Sequence, residues 1–90
     1  MNLKPEVARI LVREKLVSET AIARLREKTR SMELQYGWST DTFLKKFDAG
    51  EAGDEQVFFR WYALAEAIKD WQKTCDSLEE LLIGSELVRA

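Results

Sequence analysis

The stretch that decides the fold spans residues 54–83, with the sequence DEQVFFRWYALAEAIKDWQKTCDSLEELLI. Its apolar residues follow a repeating 4-3 spacing at Val57, Trp61, Leu64, Ile68, Trp71, Cys75, Leu78 and Leu82. This spacing is typical of an amphipathic helix that packs along another helix. It predicts one long helix over 54–83, which Asp54 begins as N-cap and Gly84 ends, with a tail over 84–90.

Residues 5–36 predict a second long helix that carries two neighbouring apolar lines. The first line contains Leu3, Val7, Ile10, Val17 and Ala21, and the second contains Leu11, Ile22, Leu25, Met32 and Tyr36, with Ser18 and Thr29 as polar interruptions. Pro5 suits the first turn of a helix, and Gly37 suits the position after its end. The apolar stripe changes line near residues 17–21, and Ser18 suits an N-cap. We therefore favour a break or kink near 17–18 over one continuous helix.

A short helix over 40–48 joins the two long ones. Ser39 is a good N-cap for it, and Phe43, Leu44 and Phe47 fall on one of its faces. The sequence thus predicts a single all-α domain over 1–90, a helical hairpin with a short helix at the turn. A lone hairpin leaves much of each apolar stripe in water. We expect two hairpins to pair into a four-helix bundle as a homodimer, with a three-helix monomer as the competing interpretation.

Composition argues against catalysis. The 90 residues include no histidine and one cysteine, which removes the commonest general base and the usual zinc ligand sets. Residues 48–54 have the outline of a calcium loop, but Gly50, Ala52 and Phe59 stand where ligands are needed. We expect no catalytic residue, no metal and no cofactor. Cys75 is expected to be a buried small apolar residue.

Charge is unevenly distributed along the chain. Residues 1–36 carry eight Lys/Arg and five Asp/Glu, and residues 37–90 carry six and eleven. Such asymmetry can orient two chains or favour a charged partner. Arg24 and Lys28 share one helix face and are the candidate nucleic-acid contact, although Arg26 and Arg30 fall on roughly the opposite face, which argues against nucleic-acid binding. No apolar run reaches ~18 residues, so we expect no membrane span and a cytoplasmic protein.

Aromatic residues are concentrated between positions 38 and 62. Most of them fit a core at the turn of the hairpin, but Phe59 lies on the polar side of its helix. Either the short helix folds over Phe59 or this side chain contacts another chain. We expect the interface with a second copy or another protein to include Phe58, Phe59, Tyr62 and Trp71.

Residues 36–62 resemble a pattern found in small bacterial and archaeal helical proteins, some of them antitoxin-like members of toxin–antitoxin modules. The positions that carry the resemblance are Tyr36, Gly37, Ser39, Phe43, Phe47, Gly50, Glu51, Gly53, Asp54, Phe58 and Trp61. The chain departs from the pattern at residues 40–42, where relatives carry a glutamate. The resemblance implies a non-enzymatic protein that works by binding, with a toxin encoded by a neighbouring gene as its partner. The alternatives are a small nucleic-acid-binding regulator and a homodimeric structural protein.

Overall fold

The computed structural model describes residues 3–89, with side chains described as far as Gly84. It consists of three helices, α1 over Pro5–Tyr36, α2 over Thr40–Asp48 and α3 over Gln56–Arg89. The described residues include no strand, so the all-α prediction is confirmed. The molecule measures 52 × 21 × 17 Å. Because a helix with its side chains is ~10 Å across, these dimensions correspond to a narrow assembly about two helices wide.

The two long helices lie side by side and run in opposite directions. At one end, the ring of Tyr36 lies 5.1 Å from the ring of Phe58, between their centroids. Towards the other end, the ammonium of Lys15 lies 3.9 Å from a carboxylate oxygen of Glu79. The helix α2 packs over the first of these ends, where the aromatic residues are concentrated.

The helix α1 is continuous, so a break near residues 17–18 is wrong, and the kink given as its alternative stays a prediction. The hydroxyl of Ser18 donates to the carbonyl oxygen of Glu14 at 3.0 Å, and that of Thr29 donates to the carbonyl of Arg26 at 3.1 Å. Both side chains are buried, and each hydroxyl donates its hydrogen bond to a carbonyl in the preceding turn of the same helix. The polar interruptions therefore need no break in the helix.

The turn between α1 and α2 is fixed by two caps that the sequence predicts. Gly37 adopts a left-handed conformation with φ of 74°, and its N–H donates to the carbonyl of Glu33 at 2.8 Å. A residue with a Cβ is disfavoured in this conformation. The hydroxyl oxygen of Ser39 accepts a hydrogen bond of 3.1 Å from the backbone N–H of Thr42. This bond satisfies one of the free donors at the start of α2.

The bounds of α3 differ from the predicted 54–83 at both ends. The helix begins at Gln56, and the carbonyl of Glu55 accepts from the N–H of Phe58 at 3.0 Å, so Asp54 lies in the loop. At the other end, the helix continues through Gly84 to Arg89, and Ala90 lies outside the described residues. Gly84 is not among the glycines with positive φ. A single helical glycine costs only ~1 kcal/mol relative to alanine, so it need not end a helix.

Candidate protein-binding surfaces

The best-packed part of the molecule is the aromatic cluster under α2. Phe43 and Trp61 are fully buried, and their rings are parallel with centroids 4.1 Å apart. Phe58 packs 5.8 Å from Phe43, and Tyr36 lies 6.1 Å from Trp61. Further side chains packed around this core are Met32, Trp38, Leu44, Phe47, Ala52, Val57 and Tyr62. The cluster holds α2 against both long helices.

A polar network anchors the start of α2 beside this cluster. The carboxylate of Glu33 accepts two hydrogen bonds from Thr40, one from its backbone N–H at 2.7 Å and one from its hydroxyl at 2.9 Å. The indole N–H of Trp61 donates to the same hydroxyl oxygen at 3.1 Å. The carboxylate therefore lies at the positive end of the α2 dipole, and Thr40, which bonds to both Glu33 and Trp61, completes a network that links all three helices. The sequence analysis did not assign Glu33 this role.

The placement of Phe58 corrects one of the predicted interface residues. Phe58 is 5% exposed, and its ring lies between Phe43 of α2 and Tyr36 of α1. This leaves almost no surface for another chain. Phe58 lies beside the 4-3 stripe of α3, and α2 covers that side of the helix. Its partner is thus the short helix of its own chain.

Phe59 and Tyr62 both contact Phe47 of α2. The ring of Tyr62 stacks on Phe47 at 4.7 Å, and the ring of Phe59 meets it edge-on at 5.5 Å. Even so, Phe59 is 54% exposed. The short helix therefore contacts Phe59 without covering it. A large aromatic surface remains accessible beside α2.

Of the two apolar lines on α1, the single chain covers one. Along the second line Ile22 is buried together with Ser18 and Thr29, and Leu11, Leu25, Met32 and Tyr36 are half-buried. The first line includes three exposed residues, Val7 at 41%, Ile10 at 55% and Val17 at 47%, which we call the uncovered line. Val17 lies about 100° around the helix from Ser18. The side of α1 that carries the buried Ser18 is therefore covered, whereas the side that carries Val17 stays largely exposed.

A groove with a volume of about 390 Å³ lies beside Val17, and we call it the Trp71 groove. Its lining residues are Arg13, Leu16, Val17, Thr20, Ala21, Arg24 and Trp71. Trp71, a predicted interface residue, reaches it from α3. The sequence analysis missed Leu16, which is 59% exposed. Leu16 lies outside both apolar lines, and its only signal is its position one helical turn after Val12.

The cations of α1 are distributed over two sides of the molecule. Arg24 lines the Trp71 groove, and Lys28 is exposed one turn later. Neither takes part in an ion pair among the described side chains. Arg26 and Arg30 instead line a depression next to Thr40 on the α2 side. A nucleic-acid contact at Arg24 and Lys28 stays a prediction.

Several other features bear on possible chemistry. Cys75 is buried at 6% exposure, as predicted from its place in the apolar stripe. The described residues contain no group of three or more His, Cys, Asp or Glu side chains arranged to hold a metal ion. Within the same part of the chain, no helix is long and apolar enough to cross a membrane.

Comparison with protein-family models, curated proteins and solved structures finds no match to this chain.

Proposed function

We propose that this chain is a non-enzymatic helical protein-binding module, the antitoxin of a toxin–antitoxin pair. The observation that carries the binding role is the uncovered line on α1, where Val7, Ile10 and Val17 stay exposed on one continuous helix. When another surface removes such apolar side chains from water, the free energy of the system falls, so an aligned row of them favours binding. The antitoxin role is supported by the resemblance of residues 36–62 to antitoxin-like proteins.

The proposal includes self-association. The helical hairpin of one chain pairs with that of a second copy, and the two form a four-helix bundle. The narrow 21 × 17 Å cross-section supports this arrangement, because a second pair of helices would complete the usual two layers around a shared core. Because its single cysteine cannot form an internal disulfide, association is the natural source of further burial for a chain of 90 residues.

The toxin is proposed to bind at the α2 end, with Phe59 as the central contact. Phe59 is 54% exposed, and the edge-on contact with Phe47 holds its ring in place. A rigid aromatic side chain loses little conformational entropy on binding, which favours it as an anchor. This end lies apart from the uncovered line, so self-association and toxin binding can occur on one chain together.

Co-expression tests the antitoxin role. The chain is produced with the product of the neighbouring gene, first to measure growth and then to purify the complex through a tag on either protein. We expect the neighbour alone to arrest growth, the pair to restore it, and the two proteins to copurify. Growth arrest that persists with both proteins present, or rescue without a complex, would refute the proposal.

A pair of variants locates the toxin contact. Phe59→Ala removes the exposed ring without opening the core, and we expect it to abolish most of the growth rescue. Val12→Ala is the matched control, because Val12 is a similarly exposed apolar residue at 47% and lies near the other end of the molecule. Circular dichroism checks that both variants keep their helices. Equal rescue by the two variants would exclude Phe59 as the anchor.

A further inference from the structure

We infer that the second copy docks on the face formed by the uncovered line and the Trp71 groove, with α1 of each chain lying over α3 of the other. This inference rests on the self-association proposed above and adds its surface, its symmetry and its pairing residues. Four observations carry it: the side of the molecule on which this face lies, the charges at its rim, the level of Trp71 and the area available.

The face lies on the side of α3 opposite α2. At about 100° per residue, Ala67 and Thr74 are roughly 180° and 160° around α3 from Phe58, which packs under α2. Ala67, Asp70, Trp71 and Thr74 line a depression on this side. The small side chains at positions 67 and 74 leave room for a neighbouring helix. Because α2 lies on the other side of α3, it does not obstruct a second copy here.

The charges select one of two possible two-fold axes. Arg13 and Arg24 stand at the rim of the Trp71 groove on α1, whereas Asp70 stands beside Trp71 on α3. An axis across the helices would stack α1 on the partner's α1 and bring the arginines of the two copies together. An axis along the helices stacks α1 on the partner's α3 and brings Arg24 towards the partner's Asp70. Opposite charges favour the second axis, and like charges disfavour the first.

The level of Trp71 along the molecule fits this second axis. Rotation about an axis along the helices leaves every residue at the same height. Trp71 already lines the groove of its own chain, so the partner's Trp71 arrives near the height of Ala21 and Arg24, which line the same groove. A two-fold axis makes the contact reciprocal, so each dimer contains two such pairings. Each copy then covers the uncovered line and the Trp71 groove of the other.

The area that a second copy can bury on this face is in the range that a stable dimer needs. A contact 21 Å wide along ~30 Å of helix, about 20 residues, covers about 600 Å² in projection. Accessible surface exceeds its projection, and standard interfaces bury ~800 Å² per partner. The apolar residues within this area include Ile10, Leu16, Val17 and Trp71, with exposed fractions of 36–59%. A second copy therefore covers enough apolar surface to bind specifically.

Sedimentation equilibrium of the full chain tests the surface with a matched pair of variants. Val17 and Val12 are the same residue type, lie on the same helix and are both 47% exposed, but they point about 140° apart. We expect Val17→Asp to weaken dimerisation at least about 100-fold, because removing the carboxylate from water at the interface carries a desolvation cost that valine does not. Val12→Asp should leave the dissociation constant within about threefold. Circular dichroism at the same concentrations shows whether each variant keeps its helices.

A charge exchange tests the axis without touching the apolar residues. Arg24→Asp and Asp70→Arg should each weaken the dimer about tenfold, and the double variant should recover to within about threefold of the wild type. Absence of recovery would refute the α1-over-α3 axis. A Val17→Asp dimer as tight as the wild type would refute the surface while leaving self-association intact. A wild-type chain that stays monomeric at about 1 mM would refute self-association itself, whatever the toxin assay shows.

Discussion

The Glu33 carboxylate supplies the sharpest test of how the three helices are held together. Replacement by alanine removes both hydrogen bonds that Glu33 accepts from Thr40, at 2.7 and 2.9 Å. Hydrogen bonds to charged groups contribute about 1.5–3 kcal/mol each when well sheltered, and these two are partly exposed. In the variant, water can also accept part of the hydrogen bonding that Thr40 loses. We therefore expect Glu33→Ala to lower the free energy of unfolding by about 2–3 kcal/mol.

The substitution Glu33→Gln separates charge from hydrogen bonding. Glutamine keeps an acceptor oxygen but not the negative charge at the start of α2. Interaction of a carboxylate with a helix N-terminus contributes about 0.3–1 kcal/mol, so Glu33→Gln should cost about 1 kcal/mol. Combining Glu33→Ala with Thr40→Val should cost less than the sum of the two single changes, because both remove the same bond.

Urea unfolding, followed by circular dichroism at one fixed protein concentration, measures these differences. With a slope of about 1 kcal/mol per molar urea, Glu33→Ala should move the midpoint down by roughly 2 M. Glu27→Ala is the control, since Glu27 lies on the same helix and is exposed, and its effect should stay within about 0.5 kcal/mol. A Glu33→Ala midpoint no lower than that of Glu27→Ala would show that the carboxylate does not hold α2 in place.

Two further changes probe the same end of the molecule. Phe43→Ala removes a fully buried ring that stacks on Trp61 at 4.1 Å, and it should cost about 3–5 kcal/mol in urea unfolding. A loss below about 1 kcal/mol would mean that the cluster is loosely packed. Gly37→Ala forces a Cβ into a left-handed conformation with φ of 74°, and it should cost about 1–2 kcal/mol. An unchanged thermal midpoint would contradict the assigned cap geometry.

The sequence predicts the local elements well because their causes are local. Gly37 and Ser39 act within four residues of themselves, and the 4-3 stripe on α3 correctly identifies Trp61 and Cys75 as inward-facing. Some of the errors arise where a distant segment decides the outcome, and others arise where one residue type suits two local structures. Phe58 is buried because α2 packs over it, and nothing within its own helix indicates this. Ser18 suits an N-cap in isolation, but in the structure its hydroxyl bonds to the preceding turn of a continuous helix.

The candidate surfaces were only partly predictable for the same reason. Phe59 is predicted from its place on the polar side of α3, whereas Trp71 is a predicted interface residue that belongs to the 4-3 stripe. The Trp71 groove depends on how α1 and α3 lie against each other, so no spacing within α1 alone indicates that Leu16 and Arg24 share it with Trp71. Likewise, Glu33 and Thr40 are seven residues apart and meet only because Gly37 reverses the chain between them.

The burial pattern divides the molecule into a self-sufficient end and an incomplete one. At the α2 end, three helices enclose Phe43, Phe58 and Trp61, all at most 5% exposed. Along the rest of the molecule α1 and α3 share one seam, and the buried residues among the described side chains there are Ser18, Ile22, Thr29, Ala65 and Cys75. Burial of the exposed apolar residues of the uncovered line would stabilise the protein by about 25 cal/mol for each Å² of apolar surface removed from water. In the dimer proposed above, a second copy supplies at this end the surface that α2 supplies at the other, so we expect the stability of the incomplete end to depend on protein concentration.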